Sequence, residues 1–174
     1  MSGSLIKIDE EIVTSAVASV TLGGSDWDNS YDVYMVKFNN VTPDTDIVNL
    51  SLRFTVSGSA DTSSNYDRAF KNLSSNSSFL NTSGTNTNFL DLGLLGTGTS
   101  EQSNGILYLF NFNNASEYSF CTIEQSFRNN DGNLRGYQGG AVLTVTQATD
   151  GVQFFFSSGN IDTGSKFTLY GLKK

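Results

Sequence analysis

Histidine is absent from this 174-residue chain, and it has a single cysteine, Cys121. Without imidazole the chain lacks the commonest general base, the usual serine or cysteine triad and most zinc sites. One cysteine cannot close an intramolecular disulfide, so no disulfide framework is available. Charge is scarce as well. Asp, Glu, Lys and Arg supply only 16% of the residues, with a formal net charge of −7 and a pI near 4.3. That balance excludes a basic nucleic-acid footprint and disfavours anionic membrane surfaces. No apolar run approaches the ~20 residues of a membrane span. The start, Met1 to Lys7, lacks the basic region and apolar run of a secretory signal, so the chain is expected to fold in a cytoplasm.

Ser, Thr, Asn and Gly fill the place of the missing charges. These residues weaken helices and favour turns, while the 12% aromatic content favours strands. Val48 to Ser57 carries the clearest pattern: Val48, Leu50, Leu52, Phe54 and Val56 alternate with polar residues, which predicts a strand with one buried face. Strands are also expected over 12–22, 31–38, 66–72, 77–82, 106–113, 118–127, 141–147, 152–156 and 166–172. The segment 89–95 is expected to pack beneath the loops. Turn signals such as Gly23-Gly24, Asn129 to Asn133 and Thr149-Asp150-Gly151 separate them. No amphipathic helical period occurs. The expectation is one all-β domain, a jelly-roll-like antiparallel β-sandwich of about eight to ten strands. Residues 12–174 would form it, and 1–11 an N-terminal arm or edge strand.

Few residues offer chemistry. Cys121 shares an alternating face with Ile123 and Phe127, which reads as a buried structural thiol; sequence supplies no activating neighbour. Asp26, Asp28, Asp44, Asp46, Asp61, Asp67, Asp91 and Glu124 could in principle furnish a carboxylate pair for glycoside hydrolysis. Nearly all lie in polar loops, where a turn-capping carboxylate is the ordinary reading; Glu124 falls in an expected strand. Asp26 to Asp32 spaces oxygen ligands as a calcium loop does, yet lacks the central glycine and has Lys37 where the closing glutamate belongs. Gly93 to Gly98 is glycine-rich but no Lys-Ser or Lys-Thr follows, so no phosphate cradle is expected. The sequence therefore predicts no catalytic residue, metal or cofactor. Candidate interaction residues are the acidic Asp9, Glu10 and Glu11, and the aromatics Trp27, Tyr66 and Tyr137, which could stack on sugars or pack in the core.

The C-terminal segment runs Val152-Gln153-Phe154-Phe155-Phe156-Ser157-Ser158-Gly159-Asn160-Ile161-Asp162-Thr163-Gly164, then Lys166-Phe167-Thr168-Leu169-Tyr170-Gly171-Leu172-Lys173. It resembles the closing segment of small virion proteins of tailed phages, many of them marine or cyanobacterial. Ala18 to Gly23, Tyr31 to Tyr34 and the strand from Val48 are similar to earlier parts of the same family. Phe167 stands where that family commonly has a smaller aliphatic. The resemblance implies a jelly-roll-like sandwich, often trimeric, on capsids or tail fibres, and no catalytic residue. It implies a virion location, with the major capsid protein or another virion protein as partner. A decoration or cement protein is the first reading. A tail-fibre or receptor-binding module is the second, and a sugar-cleaving enzyme the third. On physical grounds alone, Gly159-Asn160 suits a positive-φ turn and Ile161 is placed to plug the core between two turns.

Overall fold

The computed structural model describes residues 4–76 and 79–173. Met1 to Gly3 of the expected arm, Ser77 and Ser78 of the expected 77–82 strand, and Lys174 lie outside the described residues. Thirteen strands form among the described residues: β1 (Ser4–Ile12), β2 (Ser19–Gly23), β3 (Val33–Val41), β4 (Val48–Val56), β5 (Ser59–Ala60), β6 (Tyr66–Ser74), β7 (Phe79–Thr87), β8 (Leu90–Leu95), β9 (Ser103–Phe110), β10 (Ser119–Arg128), β11 (Leu134–Leu143), β12 (Gly151–Phe156) and β13 (Lys166–Lys173). One 3-10 turn, Gly24–Asp26, is the only helical element among them.

The strands make an antiparallel sandwich. Its large sheet has eight strands in the order β1-β13-β3-β9-β10-β11-β6-β7. The small sheet runs β2-β12-β4-β5, with β8 also paired to β4. The chain passes repeatedly from one sheet to the other, which gives the fold its jelly-roll-like character.

Alternation decides which side chains fill the space between the sheets. From the large sheet come Tyr34, Val36, Phe38, Leu107, Leu109, Cys121, Ile123, Phe127, Phe167 and Leu169; from the small sheet come Leu22, Leu50, Leu52, Phe54, Leu92, Val152, Phe154 and Phe156. Each such side chain adds about 1.5–3 kcal/mol on burial. Strand β10 shows the rule most cleanly, with every second residue from Ser119 to Phe127 buried and its neighbours exposed. The face expected to hold Cys121 is the buried one.

The sequence pattern and the structure part company in four places. A single strand over 12–22 does not form. β1 ends in the large sheet and β2 belongs to the small one, so the residues between them must cross over. They are held there by Val17–Ile161 bridging and by the amide of Val13 donating to the Ser165 carbonyl. In β4 the polar face is also covered: Ser51 and Thr55 are fully buried. β11 begins at Leu134, earlier than Ala141, because Gly136, Gly139 and Gly140 hide its alternation. β7 extends to Thr87 through Ser, Thr, Asn and Gly with no apolar period, held by its pairing with β6.

The C-terminal segment sits as its chemistry predicts. Ile161 is fully buried and bridges both Val17 and Pro43. Gly159 and Gly164 flank it at φ of 72° and 87°. A side chain at Gly159 would strike Thr45, so glycine is required there both for the turn and for the close approach. β13 then enters the large sheet between β1 and β3.

Candidate functional site

The sequence-selected residues do not gather into one place. Asp9 accepts a hydrogen bond from the Gly23 amide at 2.9 Å, which ties the edge strand to the turn after β2. Glu10 bonds Lys7 at 3.2 Å and Lys166 at 2.9 Å. Its carboxyl is held below the usual range by these lysines, Lys166 first. Glu11 is exposed. Trp27 packs against Tyr34 with ring centroids 4.0 Å apart, and its indole N–H donates to the Asn113 side-chain oxygen.

Tyr66 and Tyr137 offer no face to a sugar. Tyr66 is fully buried; its hydroxyl accepts from the Phe54 amide and donates to the Asp61 carbonyl, each at 3.0 Å. That burial pushes its phenol pKa up. Tyr137 packs edge-on against Phe127 at 5.2 Å. In both cases inward alternation on a strand settles the matter, and a residue-by-residue view of exposure from sequence could not.

Most of the candidate carboxylates accept hydrogen bonds from main-chain amides, in loops or, for Asp67 and Asp91, in strands β7 and β8. Asp28 receives the Ser30 amide, Asp44 the amide and side chain of Asn160, Asp46 the Thr97 amide, Asp67 the Asn86 amide and Asp91 the Gly93 amide. Burial raises the Asp61 pKa, but hydrogen bonds from Ser63 and Gln147 outweigh it and the net shift is downward. Glu124 points outward from β10. Hydrogen bonds likewise lower the Asp28 carboxyl, through Ser30, and the Asp44 carboxyl, through Asn160, as in turn-capping; a general acid needs the opposite shift. Among the described residues, no cluster of three or more His, Cys, Asp or Glu is arranged to hold a metal ion. Burial pushes the Cys121 thiol up to about 12, the reverse of what a nucleophilic cysteine requires.

These shifts fix how stability should respond to pH. The Asn133 amide, then Arg135, hold Asp131 down to about 2 from 3.8. A carboxyl lowered on folding stabilises the native state above its unfolded value, and that contribution is lost as pH falls through the folded one. Cys121 works the other way: its contribution is present below 9.0 and lost as pH rises toward about 12. The melting temperature should therefore hold between these limits and fall outside them. A circular-dichroism melt that is unchanged from neutrality down to about pH 2 would contradict the acid arm.

What the sequence did not single out is the outer face of the large sheet. Register places Leu5 opposite Leu172, Val33 opposite Phe110, Phe110 opposite Phe120 and Phe120 opposite Val142; Leu172 and Val33 follow on from the Gly171–Tyr34 pair. An apolar row thus crosses six neighbouring strands at one end of this face. Beside it lie Met35 and Tyr108, with Tyr108 36% and Phe120 42% exposed. Next to Phe120 and Val142, the small residues Thr122, Gly140, Ala69 and Ser83 align and floor an open groove of about 540 Å³. The face also collects cations. Lys7, Lys37, Lys71, Arg128 and Lys166 project there against Glu10, Asp67 and Glu124, in a chain whose net charge is −7. Contiguous apolar surface of this kind marks contact sites. The sequence signal was present as a second alternating set, Ile106, Tyr108 and Phe110, on β9. It is read correctly only once Leu107 and Leu109 are known to be the inward set.

The small sheet presents a different outer surface. Arg53 lies 4.4 Å over the Phe155 ring, with Asn49, Thr21 and Gln153 on the same face. The two faces are thus chemically distinct. No protein-family model matches this chain, and comparison with curated proteins and with solved structures finds none similar to it.

Proposed function

We propose that this chain is a structural protein of a tailed-phage particle: a capsid decoration protein that binds the major capsid protein through the outer face of its large sheet. The apolar row from Leu5 to Val142 carries the reading, because contiguous apolar surface of this kind suits a contact with another protein. Lys7 and Lys37, two and four residues along their strands from Leu5 and Val33, suit a partner with acidic groups on that side of its apolar patch. The resemblance of the C-terminal segment to small virion proteins of tailed phages supports the particle. No catalytic step is part of this reading.

A receptor-binding role on a tail fibre is the second reading. It is favoured by an open polar pocket of about 390 Å³ where Tyr31 and Asp32 meet Asn29, Asn111 and Asn114. Copy number separates the two: hundreds of copies per particle mean capsid, a few dozen or fewer mean tail.

The contact face is tested by Phe120→Asp. This side chain is exposed, so the variant should fold as the parent does. Cosedimentation with particles stripped of the protein should show binding weakened about 30-fold or more, the loss expected when a charge enters the centre of an apolar contact. Equal binding by parent and variant would refute the assigned face.

A further inference from the structure

We propose that β7 is a docking edge that pairs with β7 of a second copy of this chain, joining the two large sheets into one. The pairing stands whether or not the particle reading holds.

Unpaired strand edges attract other strands, and proteins guard them with charge, proline, bulges or short length. The other edges here are guarded. β1 carries Lys7, Asp9, Glu10 and Glu11 and a register shift between Lys7 and Asp9. β2 has five residues and β5 only two, and β8, which follows β5 along β4, has six residues, carries Asp91 and shifts register between Leu94 and Asp91. β7 has nine residues, Phe-Leu-Asn-Thr-Ser-Gly-Thr-Asn-Thr, without a charge or a proline. Its one irregularity falls between Gly84 and Thr87, opposite Arg68 and Tyr66, so Phe79 to Gly84 stays in unbroken register with β6. At the start of that flat stretch Phe79 is 65% and Leu80 53% exposed. They project to opposite faces of the strand, so water meets apolar side chains on both sides of the edge.

Charge argues that the occupant is a second copy. Two molecules of net charge −7 repel wherever their carboxylates meet. β7 has no ionisable group, and the charges on β6 behind it are Asp67, Arg68 and Lys71, which do not add to that repulsion. Along this edge, copies approach with the least electrostatic cost. An antiparallel strand paired with itself is closed by a two-fold axis and needs no second complementary surface. In that arrangement Phe79 and Leu80 of one copy lie toward the Gly84 end of the other, where side chains are small. The recognition is strand addition: main-chain hydrogen bonds hold the pair and side chains set its register.

Sedimentation equilibrium on the full chain tests this, comparing the parent with Ser83→Lys on β7 and Ile12→Lys on β1. Both replaced side chains are exposed. The parent should form a reversible two-fold dimer. Ser83→Lys, which the symmetry presents twice, should raise the dissociation constant about tenfold or more, while Ile12→Lys should leave it unchanged. Amide exchange in β7 should slow with rising protein concentration in the parent alone. A parent that stays monomeric, or one whose association is untouched by Ser83→Lys, overturns the proposal. Phe120→Asp serves as the cross-check. It should keep the dimer while losing the particle, so failure of the edge contact and failure of the face contact are told apart.

Discussion

Replacing Phe154 with alanine is expected to cost about 3–5 kcal/mol of unfolding free energy, the range for a large aromatic removed from a packed core. Phe154 is fully buried on β12, 5.5 Å from Phe38 and 4.8 Å from Phe167 between ring centroids. Those partners belong to β3 and β13, so this one ring joins the small sheet to two strands of the large one. Its neighbour Phe155 faces the other way, against Phe89 and beneath Arg53. Phe155→Ala should therefore cost clearly less. Urea titrations should show the midpoint falling much further for Phe154→Ala, with the slope unchanged in both. Equal losses would mean that the face assignment of β12 is wrong.

Gly139→Ala is expected to destabilise by about 3 kcal/mol, at the upper end for overpacking, because the clash is with main chain. A Cβ at Gly139 would lie 2.2 Å from the Ala69 carbonyl oxygen and 2.8 Å from the Phe70 Cα, both on β6. Neither atom can move without opening the β11–β6 pairing. Gly140, next in sequence, is the control. A Cβ there meets only the Cys121 carbonyl oxygen, at 3.4 Å. Gly140→Ala should stay within about 1 kcal/mol of the parent, helped by the reduced freedom of the unfolded chain. In Gly139→Ala, exchange protection should be lost first in β6 and β7, since among the described residues β7 pairs with β6 alone.

The class of fold was legible because period-two burial is written directly into side chains. Val48 to Val56 and Tyr118 to Phe127 announce their strands, and the aromatic run 152–156 announces β12. Sequence was silent where backbone alone holds a strand in place. β7 has no apolar period, and β11 hides its first half behind glycines whose purpose is to let a neighbouring carbonyl approach. The 12–22 segment misleads because alternation survives across a point where the chain changes sheets. The candidate site was less legible still. A contact face is a property of register across six strands, and residues 5, 33, 110, 120, 142 and 172 acquire a common meaning only when hydrogen bonding lines them up. Single aromatics such as Tyr66 were conspicuous in sequence for the same chemical reasons that bury them.

One pairing bears on how the molecule is made. Ser4 sits opposite Lys173, and among the described residues β1 pairs with no strand except β13. β1 therefore leaves the ribosome well before its partner and waits, unpaired, until the chain between them has been synthesised. Closing such a distant contact is slow, as in other proteins dominated by non-local pairing. Its four ionisable residues, Lys7, Asp9, Glu10 and Glu11, keep the waiting strand in solution and out of reach of the wrong neighbour during that interval.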